Sequence, residues 1–263
     1  MRISDLRHVV FGVGASWQLL MDLPHQPLRR AAGRPEARVG GARVLIWFPV
    51  LASANGFLLA ATGLLVDALS DRYVAAAAFA LLTLVYLLVR HSGRGWVAIV
   101  SWTLNMCGGR GFFEALSAVR SDRAQLDRKW SRAVLAVLIG LALTMLFLLG
   151  LFGDMFFIAA ILAGSSAVQG ELLSVLPAEE GGLSDPRRIG RIVMWSIAAA
   201  SVGAWFFFRP AAAVPVALTM LFSLCWIAGS LRSSLSRFGR DAGLWTVAAA
   251  EALMLTCSIW FTM

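Results

Sequence analysis

Long apolar runs, cut by short polar and basic stretches, organise the whole of this chain. A helix that crosses a hydrocarbon core of about 30 Å needs about 20 predominantly apolar residues, each adding about 1.5 Å. Four runs meet that length most clearly: Val44–Val66, Ala133–Gly153, Pro210–Leu231 and Gly243–Met263. Three shorter ones, Tyr73–Val89, Met155–Val175 and Ile192–Phe208, complete a predicted set of seven. Two further apolar pieces, His8–Met21 and Trp96–Cys107, are too short to cross alone. They are predicted as interfacial or re-entrant segments, which persist only when protein covers them or water faces them. The predicted fold class is all-α, a polytopic membrane bundle formed by one domain over residues 1–263.

Charge sorts the connections. With the amino terminus inside, the inner segments are 1–43, 90–132, 176–191 and 232–242, and they hold all of the 23 basic residues except Arg72 and Arg209. Cytoplasmic loops carry such an excess of Lys and Arg. The pattern therefore predicts a multi-pass protein of the cell (inner) membrane, with its amino terminus in the cytoplasm and its carboxyl terminus on the opposite side. The outer connections shrink to Asp67–Arg72, Gly153–Asp154 and Arg209–Pro210. Residues 1–43 form a cytoplasmic amino-terminal segment, and residues 90–132 form the main cytoplasmic loop.

Composition agrees with lipid as the solvent. The chain is 59% hydrophobic and 14% charged, against about 25% charged in soluble domains, and its mean hydropathy is +0.75. The net charge of +8 comes without any long Lys/Arg tract, so it reads as topology and headgroup contact and not as a nucleic-acid surface. Cys107, Cys225 and Cys257 are scattered through apolar stretches with no metal or redox spacing, which fits buried inert thiols. Gln18, Asp22 and the lack of a small-residue cleavage site argue against a signal peptide. There is no Walker motif, no paired aspartate-rich prenyltransferase motif, no H-E-x-x-H and no Cys/His cluster.

A few polar residues stand out against this background. Glu251 falls near the middle of the last span, where an ionisable group costs at least a few kcal/mol, so it must be neutral, paired or facing a hydrated cavity. Asp241 lies at that helix's inner entrance, as a site residue or as a helix cap. On the fourth span Ser165 and Gln169 are four apart and share a face, with Ser166 beside them and Glu171 following. Such a stripe lines a site or joins two helices. The cluster Gly108-Gly109-Arg110-Gly111 offers backbone N–H groups and a guanidinium to phosphate, or forms a plain hinge. His91, with Arg90 and Arg94, contacts phosphate or sits among lipid headgroups. Trp47, Trp96, Trp102 and Trp245 fit an interfacial belt or helix packing.

Taken together, several of these spacings resemble the cobalamin synthase family, adenosylcobinamide-GDP ribazoletransferase. Leu23-Pro24 after an apolar opening and Phe48-Pro49 early in the first span resemble that family's entry. His91 stands where the family has a histidine before its acidic motif. Ser165 leads through Leu172-Leu173 to Leu176-Pro177 and Gly182-Leu183, similar to a family helix and loop, and Asp241 and Glu251 match its late Gly-Asp and Glu. The resemblance implies a membrane enzyme that uses Mg2+ to join a nucleotide-activated corrinoid to a nucleoside. On that reading Asp241 and Glu251 are catalytic. His91, Arg94, Arg110, Ser165, Gln169 and Glu171 bind substrate.

The departures fall on the chemistry. The family's dense aspartate motif is missing: Ser92, Gly93 and Arg94 follow His91, and no acid appears before Glu114. Ser166 stands where the family has an arginine, and Arg240 interrupts the Gly-Asp pair. Phosphoryl transfer needs its oxygens neutralised, usually by carboxylate-held magnesium, and Glu114, Asp122 and Asp127 replace the lost acids only if the loop folds them together. Three readings follow. The first is a diverged transferase with a polar cavity open to the cytoplasm. The second is a non-catalytic scaffold of the same fold, without cofactor, bound to a membrane or cytoplasmic protein or to a second copy of itself. The third is a small transporter using Glu251, weakened by the lack of repeats.

Overall fold

A computed structural model describes residues 13, 41–120, 130–175 and 188–261, with side chains for all of these except 41–44, 91–92 and 230–240. Most of the His8–Met21 segment, Asp122, Asp127 and the Leu176–Leu183 stretch lie outside the described residues. Among the described residues every regular element is helical: α1 (Gly41–Leu69), α2 (Arg72–Val89), α3 (Arg94–Cys107), α4 (Phe112–Ser117), α5 (Ser131–Phe152), α6 (Phe157–Val175), α7 (Arg188–Gly203), α8 (Pro210–Trp226) and α9 (Arg232–Trp260). A 3-10 turn, Arg90–Gly93, joins α2 to α3, and a π-helical turn, Ile227–Leu231, joins α8 to α9.

Seven stretches are long and apolar enough to cross a membrane: Leu45–Leu69, Arg72–Val89, Ser131–Phe152, Phe157–Val175, Arg188–Phe206, Pro210–Gly229 and Asp241–Trp260. Each coincides with one of the seven runs read from the sequence, with ends moved by a few residues. The movements have local causes. Asp71 starts α2 by accepting hydrogen bonds from the N–H groups of Tyr73 (2.8 Å) and Val74 (3.0 Å), which satisfies donors left open at a helix start. Asp154 accepts from the Phe156 N–H at 2.9 Å and delays α6 to Phe157. Outward faces carry exposed Leu58, Leu65, Leu81, Val137, Leu218 and Phe222.

Helix α6 is the axle. It packs against α1, α7, α8 and α9, and 83% of its most apolar window is buried. Small residues permit this crowding. A Cβ added at Gly56 of α1 would lie 2.4 Å from the Ala159 Cα, and one at Gly170 would lie 2.3 Å from the Met194 sulfur. Backbones therefore touch where side chains are absent.

The short apolar piece Trp96–Cys107 becomes α3, which is too short to span. The chain reaches it through Gly93, whose φ of +72° is left-handed backbone that suits glycine. Gly95 meets α9 at Leu244 and Ala248, and Trp102, two turns later, packs tilted against Trp245, with ring centroids 5.3 Å apart. Both contacts fall on one stretch of α9, so α3 lies across that helix. Beyond the turn at Gly109 (φ +86°) the chain folds back. The Asn105 side-chain amide donates to the Ala118 carbonyl (3.4 Å), and the Arg120 N–H donates to the Ser101 hydroxyl (3.1 Å).

Candidate functional site

The residue that follows the second apolar run turns inward. Arg90 caps α2, and its side chain is completely buried. Its Nη1 donates to Glu251 Oε1 at 2.6 Å and to the Ser165 hydroxyl at 2.9 Å, and its Nη2 donates to Gln169 Oε1 at 3.2 Å. The Ser165 hydroxyl shares its single proton between Glu251 Oε1 (3.0 Å) and the Leu162 carbonyl (3.2 Å). One guanidinium thus ties the end of α2 to the middles of α6 and α9. One turn before Arg90, the Tyr86 hydroxyl accepts from the Asn55 amide at 3.3 Å, which brings α1 alongside.

Local sequence explains the placement. Ser165 and Gln169 are one turn apart on α6 and present adjacent acceptors to the same cation. Glu251 is 13% exposed and sits opposite them on α9. Charge and counter-charge meet with additional hydrogen bonds, the condition under which buried ions are tolerated. Arg90 Nε is the one buried nitrogen of the group without a partner among the described residues.

Glu171 is not part of this cluster. Two residues beyond Gln169 is about 200° around a helix, so its side chain faces α7. There Arg191 grips both carboxylate oxygens, through Nε at 3.0 Å and through Nη2, and the Trp195 indole N–H donates at 3.2 Å. Glu171 is fully buried and Arg191 is 28% exposed. The polar stripe read from α6 is therefore two separate interhelical locks. Ser166 belongs to neither and donates to its own helix at Ala163 (2.7 Å).

The remaining predicted residues are dispersed. Asp241 is about 15 Å from Glu251 along α9, by ten residues of helical rise, and it engages other residues there. Arg94 opens α3 and is engaged as well. Arg110 is exposed and makes a loose i,i+4 contact of 3.9 Å with Glu114, a kind of pair that contributes little. His91 lies in the 3-10 turn, and its side chain is outside those described. The structure thus joins Ser165, Gln169 and Glu251 to Arg90, a residue whose sequence neighbours suggest phosphate or headgroup contact.

The magnesium that the resemblance implies can be tested against this geometry. A divalent cation on Glu251 would have to sit beside a guanidinium already 2.6 Å from Oε1, and like charges at that range repel strongly in a low-dielectric interior. The residues present do not fit the ion. Among the described residues there is also no group of three His, Cys, Asp or Glu side chains placed to hold a metal. Comparison with protein-family models, with curated proteins and with solved structures finds no match.

A signal for the missing partner was present in the sequence. Glu251 in mid-span needs a counter-charge, and the arginines that directly border an apolar run at the same end of the bundle, Arg43, Arg90, Arg132, Arg191 and Arg232, are the candidates. Pairing the costs of two buried ions narrows the partner to these. Arg191 and Trp195, four apart on α7, likewise share one face toward Glu171.

Proposed function

We propose that this chain is a membrane-embedded, non-catalytic scaffold built on a bundle resembling the ribazoletransferases, with its amino terminus in the cytoplasm. The Arg90–Glu251 pair carries this reading. The carboxylate that the resemblance assigns to metal or substrate is spent on a buried guanidinium of the same chain. The second buried acid, Glu171, is spent on Arg191 and Trp195. Both pairs join helices, which is what a scaffold asks of buried charge. The basic inner segments then face anionic headgroups and the cytoplasm, where a protein partner would dock.

Two measurements on the detergent-purified full chain test the proposal. Incubation with a GDP-activated corrinoid, a ribazole nucleoside and Mg2+ should give no transfer product, and a stable complex should survive mild solubilisation of native membranes. Magnesium-dependent product, lost in Glu251→Gln, would overturn the non-catalytic reading. A chain that always purifies alone would remove the scaffold role.

A further inference from the structure

Glu251 offers Arg90 and Ser165 the same atom. Both donate to Oε1, at 2.6 Å and 3.0 Å, and among the described residues nothing donates to Oε2. That second oxygen is not sealed in. The Glu251 side chain keeps 13% of its surface exposed, whereas the Arg90 side chain keeps none. By helical rise Glu251 is about 15 Å from the Asp241 end of its span and about 13 Å from the Trp260 end, half-way through a hydrocarbon core of about 30 Å. A carboxylate oxygen turned to lipid at that depth costs at least a few kcal/mol. The Arg90 guanidinium repels a further cation, so the donor that meets Oε2 is uncharged. Water is the donor at hand.

The helix break beside the ion pair gives water a route. Helix α2 packs along α1 and α5, and its inner end stops within an arginine's reach of mid-span, where Arg90 crosses to α6 and α9. The chain then turns through Arg90–Gly93 and enters α3. Gly95 fixes the depth of that turn. A Cβ there would lie 3.0 Å from the Ala248 Cβ and 3.7 Å from the Leu244 carbonyl oxygen, and Ala248 is about 10 Å inside Asp241 by helical rise. The polar run Arg90-His91-Ser92-Gly93-Arg94, with left-handed backbone at Gly93, therefore lies well inside the apolar stretch of α9. Irregular backbone at membrane depth persists only where it is buried in protein or lines a water-filled cavity. The open Glu251 oxygen, about one turn further in, selects the second case.

We propose that a water-filled recess enters the bundle at the face that carries the basic segments, runs along the Arg90–Gly93 turn past Ala248, and ends on Glu251 Oε2. Ala248 stands one turn before Glu251 on the same side of α9 and is itself partly exposed. The recess gives the carboxylate a second hydrogen bond and leaves the Arg90 lock intact. The inference rests on the membrane reading of the spans and is independent of whether the chain is a scaffold.

The test uses the full chain carrying Cys107→Ala, Cys225→Ala and Cys257→Ala, in sealed vesicles of known orientation. Ala248→Cys in this background should be labelled by a charged, membrane-impermeant methanethiosulfonate from the basic face and spared from the opposite face, as read by the mass of the chain. Ser92→Cys, in the turn itself, makes the same test should Ala248→Cys not fold. Ala252→Cys, on an exposed flank of α9, should be spared from both faces because lipid covers it. A second measurement reads Glu251 directly. The infrared carboxylate band that Glu251→Gln removes should shift within seconds when H2O is exchanged for D2O. Folded cysteine variants at 248 and 92 that stay unlabelled from the basic face, or react only from the opposite face, would overturn the recess. An unshifted carboxylate band would overturn the water at Oε2. Labelling of Ala252→Cys from both faces would instead refute the membrane reading on which the recess depends.

Discussion

Neutralising Glu251 should destabilise the bundle more than neutralising Arg90. Glu251→Gln keeps the shape and an oxygen that can still accept from Arg90 and Ser165, so it removes charge alone. It strands a cation whose side chain is 0% exposed, and arginine does not give up its proton. Removing one partner of a buried pair costs about 3–5 kcal/mol. The retained hydrogen bonds place this variant near the lower figure, a fall in Tm of about 6–12 °C for a chain of this size. Arg90→Gln strands a carboxyl instead. That group is 13% exposed, so water reaches it where none reaches the guanidinium, and the Ser165 hydroxyl still donates to it; the loss should be about 1–2 kcal/mol. The double variant carries no buried charge and should be more stable than Glu251→Gln alone. Thermal unfolding in one detergent, followed by size exclusion with tryptophan fluorescence, measures all four corners of the cycle. Equal losses from the two single variants, adding without coupling in the double, would show that the two charges do not depend on each other.

Two further outcomes follow from the packing. Gly56→Ala drives a methyl to 2.4 Å from the Ala159 backbone and should cost about 1–3 kcal/mol. Gly140→Ala in α5, with nothing within 4 Å, should be neutral or stabilise by up to about 1 kcal/mol; the same unfolding assay compares the two, and a similar effect from both would refute the α1–α6 contact. Arg191→Leu leaves Glu171 fully buried without its counter-charge and should lose about 3–5 kcal/mol. Arg209→Leu, at the turn before α8 and outside both locks, supplies the control for that measurement.

The seven long helices are legible because each is a mainly apolar run bounded by charge, Gly or Pro, and that pattern depends on nothing distant in sequence. Local caps such as Asp71 and Asp154 only trimmed the ends. The short piece Trp96–Cys107 was recognised as non-spanning from its length alone. Its course across α9 was not readable, because that depends on which neighbour accepts Gly95 at close range. The polar residues of α6 were visible as a group, yet the group splits. Ser165 and Gln169 lie one turn apart, whereas Glu171 falls on the far side, as the 3.6-residue period dictates. The sequence neighbours of Arg90, His91 and Arg94, suggest phosphate or headgroup contact instead. The partner of Arg90 is on the last helix, and a single sequence marks that contact only through the shared cost of two buried ions.

Binding of Mn2+ to the purified chain, followed by electron paramagnetic resonance in the presence of a nucleoside diphosphate, bears most directly on the central claim. If the Arg90 guanidinium fills the place of a metal at Glu251, wild type and Glu251→Gln should give the same spectrum, that of manganese held by nucleotide and buffer alone. A protein-bound manganese signal in wild type that disappears in folded Glu251→Gln would contradict it.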